Sequence, residues 1–134
     1  MATFYTAFSN LIKSIPTLNI LMTGGIWYRN IPSDDDGNID WTYNYLAWDI
    51  ALKKIDSCLV GTAAFKTYNV LIVVMTDDGD DQLDAIVELI VDNLSGYSDD
   101  NIHFLQFESE NKYTKLDEGE AGVYFSELTF TGIF

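Results

Sequence analysis

The residue type best supplied for chemistry in this 134-residue chain is the carboxylate, so the first question is what its carboxylates could do. Asp34-Asp35-Asp36-Gly37-Asn38-Ile39-Asp40 has the composition of an oxygen-donor loop for calcium. The helix-loop-helix calcium motif needs glycine at its sixth position and glutamate at its twelfth. Counted from Asp34, those positions hold Ile39 and Tyr45, so the motif fails. In Asp77-Asp78-Gly79-Asp80-Asp81 the glycine comes too early for the same motif. Both stretches read as solvated turns, and no metal or other cofactor is expected. Asp49 shares a strand face with Tyr43 and Tyr45; buried there, it could act as a general acid, and exposed it would be an ordinary sheet position.

Other chemistries lack their residues. One histidine, His103, and one cysteine, Cys58, do not make a four-ligand zinc site. Their separation in the chain gives no support to a Cys–His nucleophile pair. There is no Gly-x-Ser-x-Gly elbow, phosphate loop or dinucleotide fingerprint. Trp27, Trp41 and Trp48, with eight tyrosines, could stack on bases, but a net charge of −14 repels a phosphate backbone. The same charge disfavours anionic lipid. Aromatics without a basic surface point instead to core or to protein interfaces. The chain reads as a non-enzyme.

The elements that would carry these groups follow from periodicity. The organising stretch is Tyr68 to Leu94. Val70 to Met75 is an unbroken apolar run rich in β-branched residues, the pattern of a central strand covered on both faces. An acidic turn with Gly79 follows, and Asp78 or Asp80 can cap a helix on which Leu83, Ile86, Val87, Ile90 and Leu94 form one apolar face. Ser95-Gly96 closes it. Upstream, Phe4, Ala7, Phe8, Leu11, Ile12 and Ile15 make a first helical face ended by Pro16. Thr17 to Gly24 reads as a loop or a short extended piece, and Ile26 to Ile31 as a strand stopped by Pro32.

From Tyr43 to Lys54 the chain alternates. Asn44, Leu46, Trp48, Ile50 and Leu52 are placed inward, opposite Tyr43, Tyr45, Ala47, Asp49 and Ala51. Cys58 to Gly61 reads as a short continuation of this strand or as a loop. Ile102 to Phe107 is a strand with Ile102 and Phe104 opposed to His103, Leu105 and Phe107. Glu108 to Ala121 reads as a long polar connection, and Gly122 to Phe134 as a closing strand. The sum is a single α+β domain over residues 1–134. It has a mixed, mostly antiparallel sheet of four to five strands with two helices packed on one face.

Composition sets the outer bounds. With 48% hydrophobic residues and 14% aromatics the chain can bury a core without staples. A single cysteine fits a reducing compartment. No basic region precedes an apolar stretch at the start, so no secretory signal is expected. The acids, 21 against 7 basic residues, cluster at 33–40, 76–84, 99–100 and 108–120, between apolar segments. A decoy that imitates DNA to inhibit a nucleic-acid-binding protein would need them in a stripe along a helix, and they read as loop residues instead. Strand edges without obvious lysine gatekeepers leave pairing between copies open.

The order of elements carries a resemblance. After an N-terminal helix come Gly24-Gly25-Ile26-Trp27-Tyr28-Arg29-Asn30-Ile31-Pro32, a tyrosine-rich strand, the Val70–Thr76 strand with its acidic turn and amphipathic helix, Phe107-Glu108-Ser109-Glu110, and Val123-Tyr124-Phe125-Ser126-Glu127-Leu128-Thr129-Phe130. This resembles the tail-terminator (tail-completion, minor tail) proteins of long-tailed bacteriophages. Where such relatives open the tyrosine strand with Pro-Tyr, this chain has Trp41-Thr42-Tyr43 after a longer acidic insertion. The resemblance implies a virion protein of the tail or neck, assembled in the host cytoplasm. It would form a homo-oligomeric, commonly hexameric, ring that caps the tail tube and meets the head-tail connector. Its partners would be the tail-tube protein and neck proteins, with DNA passing through the ring unbound. A ring of six would carry roughly −84, a charge that repels DNA in transit. Candidate channel or interface residues are Asp77, Asp78, Asp80 and Asp81 in the turn, and Glu108, Glu110, Asp117, Glu118 and Glu120 in the long connection.

Overall fold

A computed structural model describes residues 3–40, 42–57, 64–76, 80–115 and 123–134. Its elements are α1 (Phe4–Ser14), α2 (Leu18–Leu21), β1 (Gly25–Tyr28), β2 (Tyr45–Ser57), β3 (Ala64–Thr76), α3 (Asp80–Leu94), β4 (Phe104–Lys115) and β5 (Val123–Ile133). The strands form one five-stranded sheet in the order β1-β2-β3-β5-β4. β1 runs parallel to β2, and every other neighbouring pair is antiparallel. The expected mixed α+β architecture is the one observed, with β3 at its centre.

Both long helices cover the same face of the sheet. Thr3 caps α1, its hydroxyl accepting from the Thr6 amide at 3.1 Å. Phe4, Phe8 and Ile12 from α1 and Leu83, Ile86, Ile90 and Leu94 from α3 are buried against Leu46, Trp48, Val70, Ile72, Val74, Leu128 and Phe130. Phe4 stacks on Tyr68 with ring centroids 4.3 Å apart, and Phe8 meets Trp48 at 5.1 Å. α3 ends at Gly96, whose φ of 78° is the left-handed conformation that glycine takes without strain.

The opposite face of the sheet is covered at one end only. There Tyr45, Met75, Val123 and Phe125 are buried beneath Ile31 and Ile39 of the acidic loop. Farther along β3, Val73 is half-buried and Leu71 is 39% exposed. The expectation that both faces of the central strand are covered therefore holds for Met75 and fails for Leu71: the second layer is a loop, too small to span the sheet.

Three further readings are corrected. Thr17 to Gly24 contains a short helix, α2, which buries Leu18. β2 and β3 extend as a hairpin paired out to Ser57↔Ala64, with a bulge between Leu52 and Lys54, and Leu52, opposite Tyr68, is 51% exposed rather than buried. Glu108 to Ala121 is not all connection, because β4 continues to Lys115 and pairs with β5 to Val123. Alternation hid this, because β4 is an edge strand whose outer half carries polar residues on both faces. Its first half is also resolved differently. Leu105 is buried and Phe107 half-buried on the helix face, Phe104 is exposed, and Ile102 is buried in the loop before the strand.

Candidate functional site

The strand ends next to three of the four acid-rich segments lie at one end of the sheet. β3 delivers the chain to residues 77–79 at Thr76, which pairs with Tyr124 of β5; β4 ends at Lys115, paired with Val123. The last described residues of β3 and of β4 are therefore bonded to the same short piece of β5. β2 begins at this end too, with Tyr45 opposite Met75. The loop before it carries Asp34, Asp35, Asp36 and Asp40, all exposed.

Of the candidate residues, Asp77, Asp78, Asp117, Glu118 and Glu120 lie outside the described residues. Asp80 is the first residue of α3. Asp81 is exposed in the first turn, where a carboxylate also suits the helix's positive end. Glu108 is the extra residue of a bulge in β4, between Phe107 and Ser109, and is exposed. Glu110 accepts a hydrogen bond from the Ser126 hydroxyl at 2.9 Å. Lys112, two residues on, forms an ion pair with Asp84 of α3. So Glu110 and the first turns of α3 share one side of the sheet, joined through Lys112.

Helical geometry adds Asp84, Glu88 and Asp92 to the candidate Asp81. All four are exposed on α3 and repeat at helical spacing. The signal was present in the sequence. The same period that places Leu83, Ile86 and Ile90 inward puts these carboxylates outward.

The entry to α3 is fastened by a buried polar cluster. Asn44 Nδ2 donates to the Leu21 carbonyl and to Gln82 Oε1, each at 3.1 Å, and the Thr76 hydroxyl donates to the same Gln82 oxygen at 3.2 Å. Asn44 is 4% exposed and its Oδ1 has no partner. These bonds tie α2, β2, β3 and α3 together just where the acidic turn leaves β3.

The acidic loop is shaped by its own carboxylates. Asp34 Oδ1 accepts from the amides of Asp36 and Asn38 at 2.9 and 2.8 Å. Asp40 Oδ1 accepts from the Thr42 hydroxyl at 2.6 Å and from its amide at 3.1 Å, and the hydroxyl bond chiefly holds the Asp40 carboxyl below its ordinary range. Asp34, Asn38, Ile39, Asp40 and Tyr45 line an open cleft of about 430 Å³. Tyr45 donates its hydroxyl to the Asp40 carbonyl at 2.8 Å, and burial pushes its phenol pKa up. Among the described residues no group of three His, Cys, Asp or Glu side chains is placed to hold a metal ion.

Asp49 is not a buried acid. It is 45% exposed and accepts from Arg29 Nε at 2.9 Å, a bond that lowers its pKa and keeps it ionised at neutral pH. A carboxylate so held cannot donate a proton near pH 7. Asp49 and Arg29 flank an open cleft of about 260 Å³ with Ala47, Leu71 and Val73.

No protein-family model matches the chain. No curated protein matches it either. The fold is similar to that of a chain in a solved structure described as the virion of a native gene transfer agent (GTA) particle. That likeness has a TM-score of 0.64 and 21% identity, over 93% of this chain and 89% of the other. The two chains share a fold across nearly their whole length. Among the described residues no helix is long and apolar enough to cross a membrane.

Proposed function

We propose that this chain is a virion structural protein of the tail-terminator kind. In this reading copies form a ring, hexameric in the commonest form, that caps a phage-like tail tube and joins it to the head-tail connector. The observation that carries the reading is the shared fold with a chain of a gene transfer agent virion, over 93% of this sequence. The residues agree with a scaffold rather than a reaction centre. The best-formed side-chain networks, Asn44–Gln82–Thr76 and Lys112–Asp84, join elements of the fold to one another.

The end of the sheet that anchors residues 77–81 and 116–122 is the channel-facing end in this reading. Carboxylates there repel the phosphate backbone and let DNA pass without a foothold. The partners are further copies, the tail-tube protein and the neck proteins, and the protein acts in the tail or neck of the particle.

The test is a mass measurement in solution and electron micrographs of the protein alone and mixed with tail-tube protein. A closed ring, free or seated on tube ends, is expected. A protein that stays monomeric in both conditions contradicts the reading.

The exposed row Asp81, Asp84, Glu88 and Asp92 favours one second reading, an acidic imitation of DNA that blocks a nucleic-acid-binding protein. Lys112 interrupts that row at Asp84, which weakens the mimicry. Competition with DNA for a basic partner separates the two readings.

A further inference from the structure

Among the described residues the sheet ends on one side at β1 and on the other at β4. β1, Gly25-Ile26-Trp27-Tyr28, holds no charge, proline or bulge, and its Trp27 is 41% exposed. An edge strand without such guards is a template for another strand. Backbone groups of successive residues point to alternate sides of a strand. The Arg29 amide donates to the Trp48 carbonyl at 2.8 Å, which turns residues 27 and 29 toward β2 and leaves Ile26 and Tyr28 turned outward. The Tyr28 carbonyl takes the Asn30 amide at 2.8 Å, so the edge offers the Ile26 amide and carbonyl and the Tyr28 amide.

We infer that β1 of one copy pairs antiparallel with β4 of the next, Trp27 lying opposite Asn111, so that the sheets run on from copy to copy around the ring. This joint rests on the ring proposed above and specifies how its copies meet.

The registers put the two edges at one height. Across the sheet Ile26 is level with Leu46, Val74, Ser126 and Lys112; Trp27 with Ala47, Val73, Glu127 and Asn111; and Tyr28 with Trp48, Ile72, Leu128 and Glu110. Rotation about an axis along the strands keeps height, so β1 arrives beside residues 110–112 of the neighbour's β4. The covered part of the β4 edge is elsewhere: Leu105 bonds Tyr97 and Gly96, and Leu105 is level with Leu52.

Direction agrees as well. β1 runs parallel to β2, and three antiparallel steps lead from β2 to β4, so β1 and β4 point opposite ways. Rotation about that axis also keeps direction, and the joint is antiparallel. Ile26 and Tyr28 pack on the helix side of the sheet, and there Glu110 bonds Ser126 and Lys112 pairs with Asp84. On strands of opposite direction, residues of one face turn their backbone groups to opposite sides, so Glu110 and Lys112 turn theirs out to meet Ile26 and Tyr28. The helices of every copy then cover the same face of the joined sheet. Charge is compatible, because β1 has none and neither Glu110 nor Lys112 meets a like charge across the joint. A contact between two different edges is heterologous and closes into a ring, whereas β4 against β4 would stop at a dimer.

Disulfide trapping on the full chain, with Cys58→Ser to remove the native thiol, tests the joint. Trp27 and Asn111 turn their backbones away from each other, a pair in which Cα atoms approach to about 4.5 Å, within disulfide reach. W27C/N111C is expected to give a ladder of oxidised multimers ending at the ring. Its yield should exceed that of W27C/Q106C about tenfold or more, because Gln106 is level with Ala51 and out of reach. Neither W27C nor N111C alone should cross-link, and the two proteins mixed should give only dimers. Trp27 Nε1 donates to the Gly24 carbonyl at 2.8 Å, so circular dichroism checks that W27C folds. Hydrogen exchange needs no substitution: the Ile26 and Tyr28 amides gain protection on assembly. If rings form but W27C/N111C links no better than W27C/Q106C, or those amides exchange equally fast in ring and monomer, the joint is overturned while the ring stands. Dimers from N111C alone would show β4 pairing with itself and overturn it too. If mass photometry finds the unsubstituted protein monomeric throughout, alone and with tail-tube protein, the ring reading and this joint fall together.

Discussion

Arg29 Nε donates to Asp49 Oδ1 at 2.9 Å, joining the residue after β1 to β2 on the open side of the sheet. Arg29 also lies over the Tyr28 ring, 4.9 Å from its centroid, and holds a φ of 67°, a conformation costly for a side-chain-bearing residue. The chain accepts that backbone where β1 turns away toward the acidic loop.

The hydrogen bond from Arg29 is the main cause of the lowered Asp49 pKa, with burial opposing it. A carboxyl lowered in the folded state adds stability above its unfolded value, about 3.9, and loses that stability as pH falls through the folded value. The expected result in Arg29→Gln is that the Asp49 carboxyl, followed by NMR, titrates at a higher pH than in the unsubstituted protein. An unchanged titration would show that the ion pair does not exist in solution.

Gly24 is required by a ring rather than by a backbone angle. A Cβ at this position would sit 2.3 Å from the Tyr45 ring. Tyr45 is buried and holds the acidic loop through the Asp40 carbonyl, so it has little room to withdraw. Gly24→Ala is expected to cost about 1–3 kcal/mol in urea unfolding. The double variant Gly24→Ala with Tyr45→Leu should cost less than the two single losses added together.

Gln82 satisfies both Asn44 and Thr76 with a single oxygen. Gln82→Ala leaves buried donors without that acceptor and is expected to cost about 1–3 kcal/mol. Asp81→Ala, one residue earlier and exposed, should stay within about 0.5 kcal/mol. Equal losses at the two positions would mean that the cluster contributes nothing beyond helix propensity.

Neighbouring residues of β3 should respond oppositely. Ile72 is fully buried on the helix face and Leu71 is 39% exposed on the other. Ile72→Ala is expected to cost about 2–5 kcal/mol, and Leu71→Ala well under half of that. Chemical denaturation of both variants checks this, and a large loss at Leu71 would indicate a second layer over that part of the sheet.

Reversing charge in the turn tests the channel reading. Asp77, Asp78, Asp80 and Asp81 changed together to Lys should leave assembled rings that retain duplex DNA at low salt, where the unsubstituted ring does not. Filter binding across a salt series measures this. DNA retention identical in both rings would take the acidic turn out of the channel.

Much of the architecture was legible in one dimension. The apolar period that runs from Leu83 to Leu94 marked α3, and the run from Val70 to Met75 marked the central strand, because burial on one side imposes a repeat that the backbone geometry makes visible. The acid count, and with it the exclusion of nucleic-acid binding by attraction, needed no coordinates. Edges and ends were different. Glu108 to Lys112 of β4 are all exposed, so this stretch carries no apolar alternation, and only its pairing with β5 reveals a strand. Leu71 and Met75 have the same local pattern, yet one is exposed and the other buried, because the acidic loop folds over one end of the sheet and not the other. Lys53 and Glu108 lie far apart in sequence, and each reads as an ordinary surface charge. That they lie on β2 and β4, at opposite sides of a single sheet, depends on strand order, which is set by contacts between distant segments and by no local repeat.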